Sequence, residues 1–496
     1  MDNETALFGL GLRSVMRNVV SCFCLSCCIA ATSVADERMV ISEEIAIDHA
    51  LRNGFAISLA AYSPEIAAQS LNQSLSVYDT SINLGYSIQD NTRTNNEQRG
   101  YDLGLSGLLG TGTSYSVALD GSNFIDSNTS GFIPYVASDL LLVFSQSLLR
   151  DFGGRSSRSS VQIARKQRDI SLLNYESSVM NIVAGVSNAY YNLYLAKRNL
   201  EVSERSRDLA LNLLKGNKAR LDVGTMSEVD YIVAESALAL RDEQVIISKS
   251  NYDVFRDQMK ELIFGDSREN IESIEFSIEE PEEPTLLITN VDADLELALE
   301  IRPDYEIFEK LIEVAEIGLG NAKSQKLPDL KLNATYGVES RGTSFVGGVG
   351  NLNSEETHNY SVGLTGSYSL QNRSRKASVI NFQIELDKAK ISHQQRKQSI
   401  TLNLKRGAEL VRRNWKRLEV SRKTYLTAEK SLNAEEKKLE YGTGTTLDVL
   451  NLQVNLINAE SGKAQAVVDY YKSVVAYRGI VGNILKFYDV DASEFR

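Results

Sequence analysis

Cysteine is confined to four positions, Cys22, Cys24, Cys27 and Cys28. Residues 29–496 contain none, which removes disulfide staples and thiolate metal sites from that part of the chain. Proline is scarce, with only Pro64, Pro134, Pro281, Pro284, Pro303 and Pro328. Between Pro134 and Pro281, and after Pro328, nothing forbids long uninterrupted helices. Positive charge is not in excess: 53 Lys and Arg stand against 65 Asp and Glu, a net charge of −12. Phosphate binding needs a basic face, so nucleic acid is excluded as a partner. After the first 35 residues no stretch is apolar for 18 residues, so any crossing of a bilayer falls to β-strands. The three histidines, His49, His358 and His393, share no metal-ligand spacing. Gly110-Thr111-Gly112-Thr113 and Gly347-Gly348-Val349-Gly350 are not followed by the Lys-Ser/Thr of a phosphate loop. No catalytic, cofactor-binding or metal-ligating set is read, and the chain is not expected to be an enzyme.

The N-terminus has the layout of a secretory leader. Arg13 and Arg17 precede an apolar run from Val19 to Val34, and Ser33-Val34-Ala35 offers a small-residue cleavage site. Residues 1–35 are therefore expected to be a signal peptide. Leu25-Ser26-Cys27-Cys28 fits a lipidation box poorly, because Cys27 occupies the small-residue position before Cys28.

What the sequence does contain is a repetition. Arg220-Leu221-Asp222-Val223-Gly224-Thr225-Met226-Ser227-Glu228-Val229-Asp230 has a copy in Lys438-Leu439-Glu440-Tyr441-Gly442-Thr443-Gly444-Thr445-Thr446-Leu447-Asp448. Gly224 and Gly442 are 218 apart, as are Asp230 and Asp448, and Leu200–Ser203 maps onto Leu418–Ser421 at the same offset. Each copy separates two helical stretches, 155–222 from 228–264 and 374–440 from 446–486. Val179, Ile182, Val186, Ala189, Leu193, Ala196 and Leu200 recur at alternating steps of three and four, a coiled-coil seam. Leu404, Ala408, Val411, Trp415 and Leu418 do the same. The chain reads as two repeats, 36–264 and 290–486, joined by an acidic linker over 265–289 and followed by a tail over 487–496. Each repeat carries a helical hairpin on the order of 100 Å long that turns at a glycine.

Each repeat also opens with a helix, predicted over 41–74 with a kink at Pro64 and over 291–326, and then changes period. Ile82, Leu84, Tyr86 and Ile88 alternate with Ser81, Asn83, Gly85 and Ser87. Similar alternation covers 76–149 and 330–370, with a polar set of small neutral residues. That pattern suits a water-filled lumen on one side and lipid on the other, and equally the half-solvated sheet of a soluble sandwich. The distance from Ala50-Leu51 to Leu200 exceeds that from Ala298-Leu299 to Leu418 by 30 residues. The excess predicts an additional β-hairpin around 99–122, either widening a barrel or capping its mouth.

So few strands cannot close a barrel within one chain, and open edges are not tolerated in lipid. These facts point to an oligomer of mixed α and β fold in which each chain contributes strands to a common barrel, with the helical hairpins extending away from it. A periplasmic or surface coiled-coil rod without a channel shares the leader and the heptads; membrane fractionation separates the two.

Taken together, the residues resemble a family, the TolC-like outer membrane efflux proteins, over about 41–486. Ile45–Asn53 is similar to the family's first helix, and Ser145–Gly153 to the segment leading into its long helix, with Ser147 in place of the usual Pro. Ala189-Tyr190-Tyr191 resembles its Ala-Tyr pair, and Gly442–Leu450 its tip motif. The resemblance implies a homotrimer in which a transmembrane β-barrel in the outer membrane is continuous with a long coiled-coil α-helical barrel that reaches across the periplasm to dock on an adaptor protein and an inner-membrane pump. It implies that Gly224, Thr225, Met226, Gly442, Thr443 and Gly444 form the docking rim. It also implies a constriction at Asp448, with Asn451 replacing a second acid, and a tip lock at Asp230. The family's lock pairs that acid with a Tyr and an Arg. Those positions hold Leu439 and Gly444 here, so that lock is absent or differently built. Asp230 and Asp448 are also helix-start residues, where the N-terminal dipole favours an acid.

Overall fold

The computed structural model describes residues 39–91, 96–126, 135–265, 274–354 and 357–495. The leader read over 1–35 and all four cysteines lie outside the described residues. The chain opens with strand β1 (Met39–Ile41) and helices α1 (Glu43–Asn53) and α2 (Phe55–Leu75). The helix predicted over 41–74 thus breaks at Gly54 and continues through Pro64. A Cβ on Gly54 would lie 2.3 Å from the Ala50 carbonyl oxygen, so this corner admits only glycine, whereas Pro64 sits within α2.

Four strands follow: β2 (Ser81–Asn91), β3 (Asn96–Leu108), β4 (Thr113–Asp126) and β5 (Tyr135–Ser147). The first hairpin is α3 (Arg155–Asp222) and α4 (Glu228–Phe264). A short strand β6 (Phe276–Ile278) leads to α5 (Val291–Ile301) and α6 (Pro303–Gln325). Pro303 takes the first position of α6, where its missing N–H is not needed; it splits the helix predicted over 291–326. Then come β7 (Asp329–Gly342), α7 (Phe345–Asn351) and β8 (Thr357–Ser367). The second hairpin is α8 (Arg373–Glu440) and α9 (Thr446–Val481), and α10 (Ile484–Phe487) closes the order.

The repetition read in the sequence is structural. Helices α3 and α8 each have 68 residues, about 100 Å at 1.5 Å per residue. Each is preceded by a residue in the left-handed region, Gly154 at φ 68° and Asn372 at φ 46°. The seam residues Val179, Val186 and Leu193 are buried, as are Leu404, Val411 and Leu418. Burying each such side chain contributes about 1.5–3 kcal/mol, so the seams, rather than helix propensity, hold helices of this length together. The shorter helices extend the hairpins end to end: Gly265 after α4 abuts Phe55 of α2, and Gly482 after α9 abuts Arg302 before α6.

Six strands form one antiparallel sheet in the order β2-β3-β4-β5-β7-β8. The additional hairpin predicted around 99–122 is β3 and β4. It lies within the sheet, paired on both sides, and not across its end.

The acidic connector differs from the solvated linker that its charge predicts. Among its described residues, β6 pairs in parallel with β1, and Phe276 and Ile278 are buried. Tyr190 donates to the Glu279 carbonyl at 2.6 Å, Tyr471 to the Glu282 carbonyl, and Tyr470 to the Thr285 carbonyl at 2.5 Å. The acids point outward while the connector's backbone is strapped to α3 and α9, which composition alone does not reveal. The tail is packed too: Tyr488 donates to Glu43 at 2.6 Å, 445 residues away.

Candidate functional site

The far end of the two hairpins gathers the residues singled out in the sequence. Gly224 and Gly442 both stand in the left-handed region, at φ 76° and 77°, where a side chain is strained. After each glycine the threonine N–H reaches back to the helix end, Thr225 to the Arg220 carbonyl and Thr443 to the Lys438 carbonyl, both at 2.9 Å. These bonds satisfy carbonyls that a helix end otherwise leaves orphaned. The returning helices start alike. Ser227 accepts the Asp230 N–H and donates to its carboxylate at 2.6 Å; Thr445 does the same for Asp448 at 2.6 Å. Ser227 and Thr445 are therefore the N-caps, and Asp230 and Asp448 are first-turn acids whose carboxylates accept from the capping hydroxyls. Asp448 and Asn451 remain exposed, one turn apart on α9, and Met226 is half-buried.

Neither Leu439 nor Gly444 makes a side-chain tie to Asp230. Leu439 is buried with Leu432, Val449 and Leu456 in an apolar cluster that Leu213 of the first hairpin also packs against. A Cβ on Gly444 would lie 2.9 Å from the Leu439 nitrogen and 3.2 Å from the Lys438 carbonyl carbon, so this turn is closed to an arginine as built. The hairpins are joined by other atoms. Arg220 Nη1 donates to the Leu439 carbonyl at 3.1 Å, and the Asn217 amide, which is buried, lies 3.4 Å from the Thr446 hydroxyl. Sequence reasoning passed over both residues; the only hint was that Arg220 begins the repeated motif.

A second cluster sits where the termini and the connector meet the long helices. Glu43 accepts from Tyr191 at 2.7 Å and from Tyr488 at 2.6 Å. Tyr191 stacks on Tyr471 with ring centroids 4.9 Å apart. Burial, then the negative charge of Glu43, pushes the Tyr191 and Tyr488 phenols well above their ordinary value. The Tyr190-Tyr191 pair is thus structural: it fastens the connector and the first helix.

The sheet has one apolar and one polar face. Strand register aligns Ile82, Leu105, Val117, Leu142, Tyr336 and Tyr360 in one row, and Leu84, Leu103, Leu119, Leu140 and Val338 in the next. The opposite face carries mainly Ser, Gly, Asn and Thr, with Leu141 and Val143 of β5 among them, and one feature that sequence reasoning missed. Asp102 pairs with Asp120, Asp120 with Asp139, and Asp139 with Glu339, a continuous carboxylate row across four strands. Like charges placed directly opposite cost stability. In sequence the four acids are far apart, and only the register brings them abreast. Short helix α7 packs at one end of the apolar face, with Phe345 stacked on Tyr101 at 5.0 Å. Among the described residues no group of His, Cys, Asp and Glu is arranged to hold a metal ion, and no helix is long and apolar enough to cross a membrane.

Residues 138–261 and 295–483, more than half of the chain, match the family described as outer membrane efflux protein. The outer membrane protein TolC of Vibrio cholerae is 25% identical over 373 residues, which cover 70% of this chain and 78% of that protein. Among solved structures, the outer-membrane channel OprN superposes with a TM-score of 0.67 at 16% identity, covering 89% of each chain. The Neisseria gonorrhoeae MtrE outer membrane channel, in its open state, superposes with a TM-score of 0.66 at 16% identity, covering 92% of this chain and 94% of that one.

Proposed function

This chain belongs to the outer membrane efflux protein family and is an exit duct of the outer membrane, and from that premise we propose how it is assembled and closed. Three copies join side by side, their sheets forming a barrel in the outer membrane and their hairpins a tunnel through the periplasm. The observation that carries this reading is the sheet itself: one face apolar, one polar, with free edges at β2 and β8. Unpaired edges are not stable in lipid, and six strands are too few to close alone. In the assembly the polar face lines the lumen and the apolar face meets lipid.

The tip is the periplasmic end, where Gly224, Thr225, Met226, Gly442, Thr443 and Gly444 form a rim that meets an adaptor protein, itself coupled to an inner-membrane pump. Three copies of Asp448 ring the narrowest part of the closed tunnel and favour cations there, with Asn451 one turn further in. Asp230 stands in the first turn of its helix beside the gate, and Arg220 and Asn217 hold the two hairpins of each chain together. The duct is passive, and the energy for transport comes from the pump.

Purification in detergent followed by planar-bilayer recording tests the reading. A particle of three chains that conducts ions, with a low closed-state conductance, is expected. A monomer that leaves bilayers silent would end it.

A further inference from the structure

Resting on the trimeric reading above, we propose that the outer-membrane barrel of this protein has eighteen strands, six from each chain, because the hairpin β3–β4 belongs to the barrel wall.

Two repeats on one plan provide a hairpin each, as the second repeat does with β7 and β8. The first repeat provides four strands. An added hairpin can fold into the lumen, lie over the mouth or widen the wall, and three observations select the wall. First, β3 is paired along its length with β2 on one side and β4 on the other, and β4 with β5, so the hairpin stands between β2 and β5 as part of one continuous sheet. Second, the hairpin carries the alternation of a wall. Leu103, Leu105, Val117 and Leu119 continue the apolar rows of the neighbouring strands, while Gly104, Ser106, Ser116 and Ala118 continue the polar face. A plug or lid has no reason to keep that register. Third, its inner turn is built into the junction with the helices. Arg158 of α3 donates to the Gly110 carbonyl at 3.1 and 2.8 Å. Gly112, at φ 80°, lies so close to Gly154 that a Cβ would fall 2.2 Å from its nitrogen.

The free edges fit a neighbouring copy. Strand β2 leaves the helices and β8 returns to them, so β8 of one copy meets β2 of the next antiparallel, and the alternation of direction continues without a seam. Both strands have 11 residues, and Ile82, Leu84 and Tyr86 on one edge and Tyr360, Val362 and Leu364 on the other are exposed. With strands about 4.8 Å apart and tilted about 40°, eighteen strands close at a backbone diameter of about 36 Å, against about 24 Å for twelve. Barrels of that strand number leave an open aqueous channel. The wall therefore admits solutes of larger cross-section than two hairpins per chain allow, and selection by size falls to the periplasmic tip.

Electron cryomicroscopy of the full chain in lipid nanodiscs counts the strands. Eighteen strands and a diameter near 36 Å are expected. A variant lacking residues 92–126 is expected to narrow to twelve strands, a loss of about one third in diameter; if that variant does not assemble, the full chain decides alone. A trimer with twelve wall strands and the hairpin inside or above the barrel overturns the inference and leaves the trimer standing. A particle that is not a trimer overturns both.

Discussion

Arg220 and Leu439 lie 219 residues apart in sequence, yet the Arg220 guanidinium donates to the Leu439 carbonyl at 3.1 Å. The bond links the end of one long helix to the end of its repeat, across the two hairpins. Leu439 is buried and contributes only its backbone, so the tie is invisible to any comparison of side chains. A hydrogen bond from a charged donor contributes about 1.5–3 kcal/mol, and the partial exposure of Arg220 favours the low end, about a tenfold change in equilibrium. Arg220→Ala is expected to raise the closed-state conductance in planar bilayers by about that factor. Unchanged conductance would remove Arg220 from the account of closure.

The cap and the charge of Asp448 are separable. Thr445→Ala removes the hydroxyl that holds the Asp448 N–H and carboxylate, which costs about 1 kcal/mol in helix stability. It is expected to lower the melting temperature slightly and leave ion selectivity alone. Asp448→Asn keeps a hydrogen-bonding side chain and removes the charge, so it is expected to shift the reversal potential in a salt gradient toward zero. If Asp448→Asn leaves the reversal potential unchanged, Asp448 is a helix-start residue and no more.

Much of this architecture was legible because it rests on periodicity. The 3–4 spacing from Val179 to Leu200 and the offset of 218 between Gly224 and Gly442 announce hairpins before any coordinates, since only helices of equal length keep such an offset. The extra hairpin was legible as a surplus of 30 residues. Its place in the sheet was not, because alternation fixes which face a residue takes but not which strand lies beside it. For the same reason the Asp102-Asp120-Asp139-Glu339 row could not be seen. The connector misled through its charge: Glu279, Glu282 and Glu283 signal solvent, while the carbonyls of Glu279 and Glu282 are held by Tyr190 and Tyr471. Hydrogen bonds to backbone leave no trace in the identity of the acceptor residue.

The carboxylate row gives a lumen prediction. In a trimer it becomes a belt that concentrates cations through the wall of the barrel. Replacing Asp102, Asp120 and Asp139 with Asn and Glu339 with Gln is expected to lower cation selectivity once the tip is opened by Arg220→Ala. Because like charges no longer face one another, the melting temperature is expected to hold or rise. A fall in melting temperature with unchanged selectivity would give the row a structural role instead.

The phenols around Glu43 set a pH limit. Burial and the Glu43 charge raise the Tyr191 and Tyr488 pKa values, so folding favours the neutral rings. The unfolded value is about 10. Their contribution is therefore complete below about pH 10 and is lost as pH climbs from there toward the folded-state values. Thermal denaturation is expected to be flat from pH 7 to 9 and to fall above 10. Glu43→Ala leaves two hydroxyls without this acceptor, at about 1–3 kcal/mol each, and is expected to lower the melting temperature at pH 7 as well.

Joining the sheets of neighbouring copies is the central claim, and a crosslink tests it most directly. With the cysteines confined to residues 22–28, a pair can be introduced at Asn83 on β2 and Gly363 on β8, at the two free edges. Treated with a short bis-maleimide in intact outer membranes and run on a denaturing gel, this variant is expected to give a ladder that stops at three chains. Monomer alone, or a ladder that continues past three, would contradict a barrel closed by three sheets.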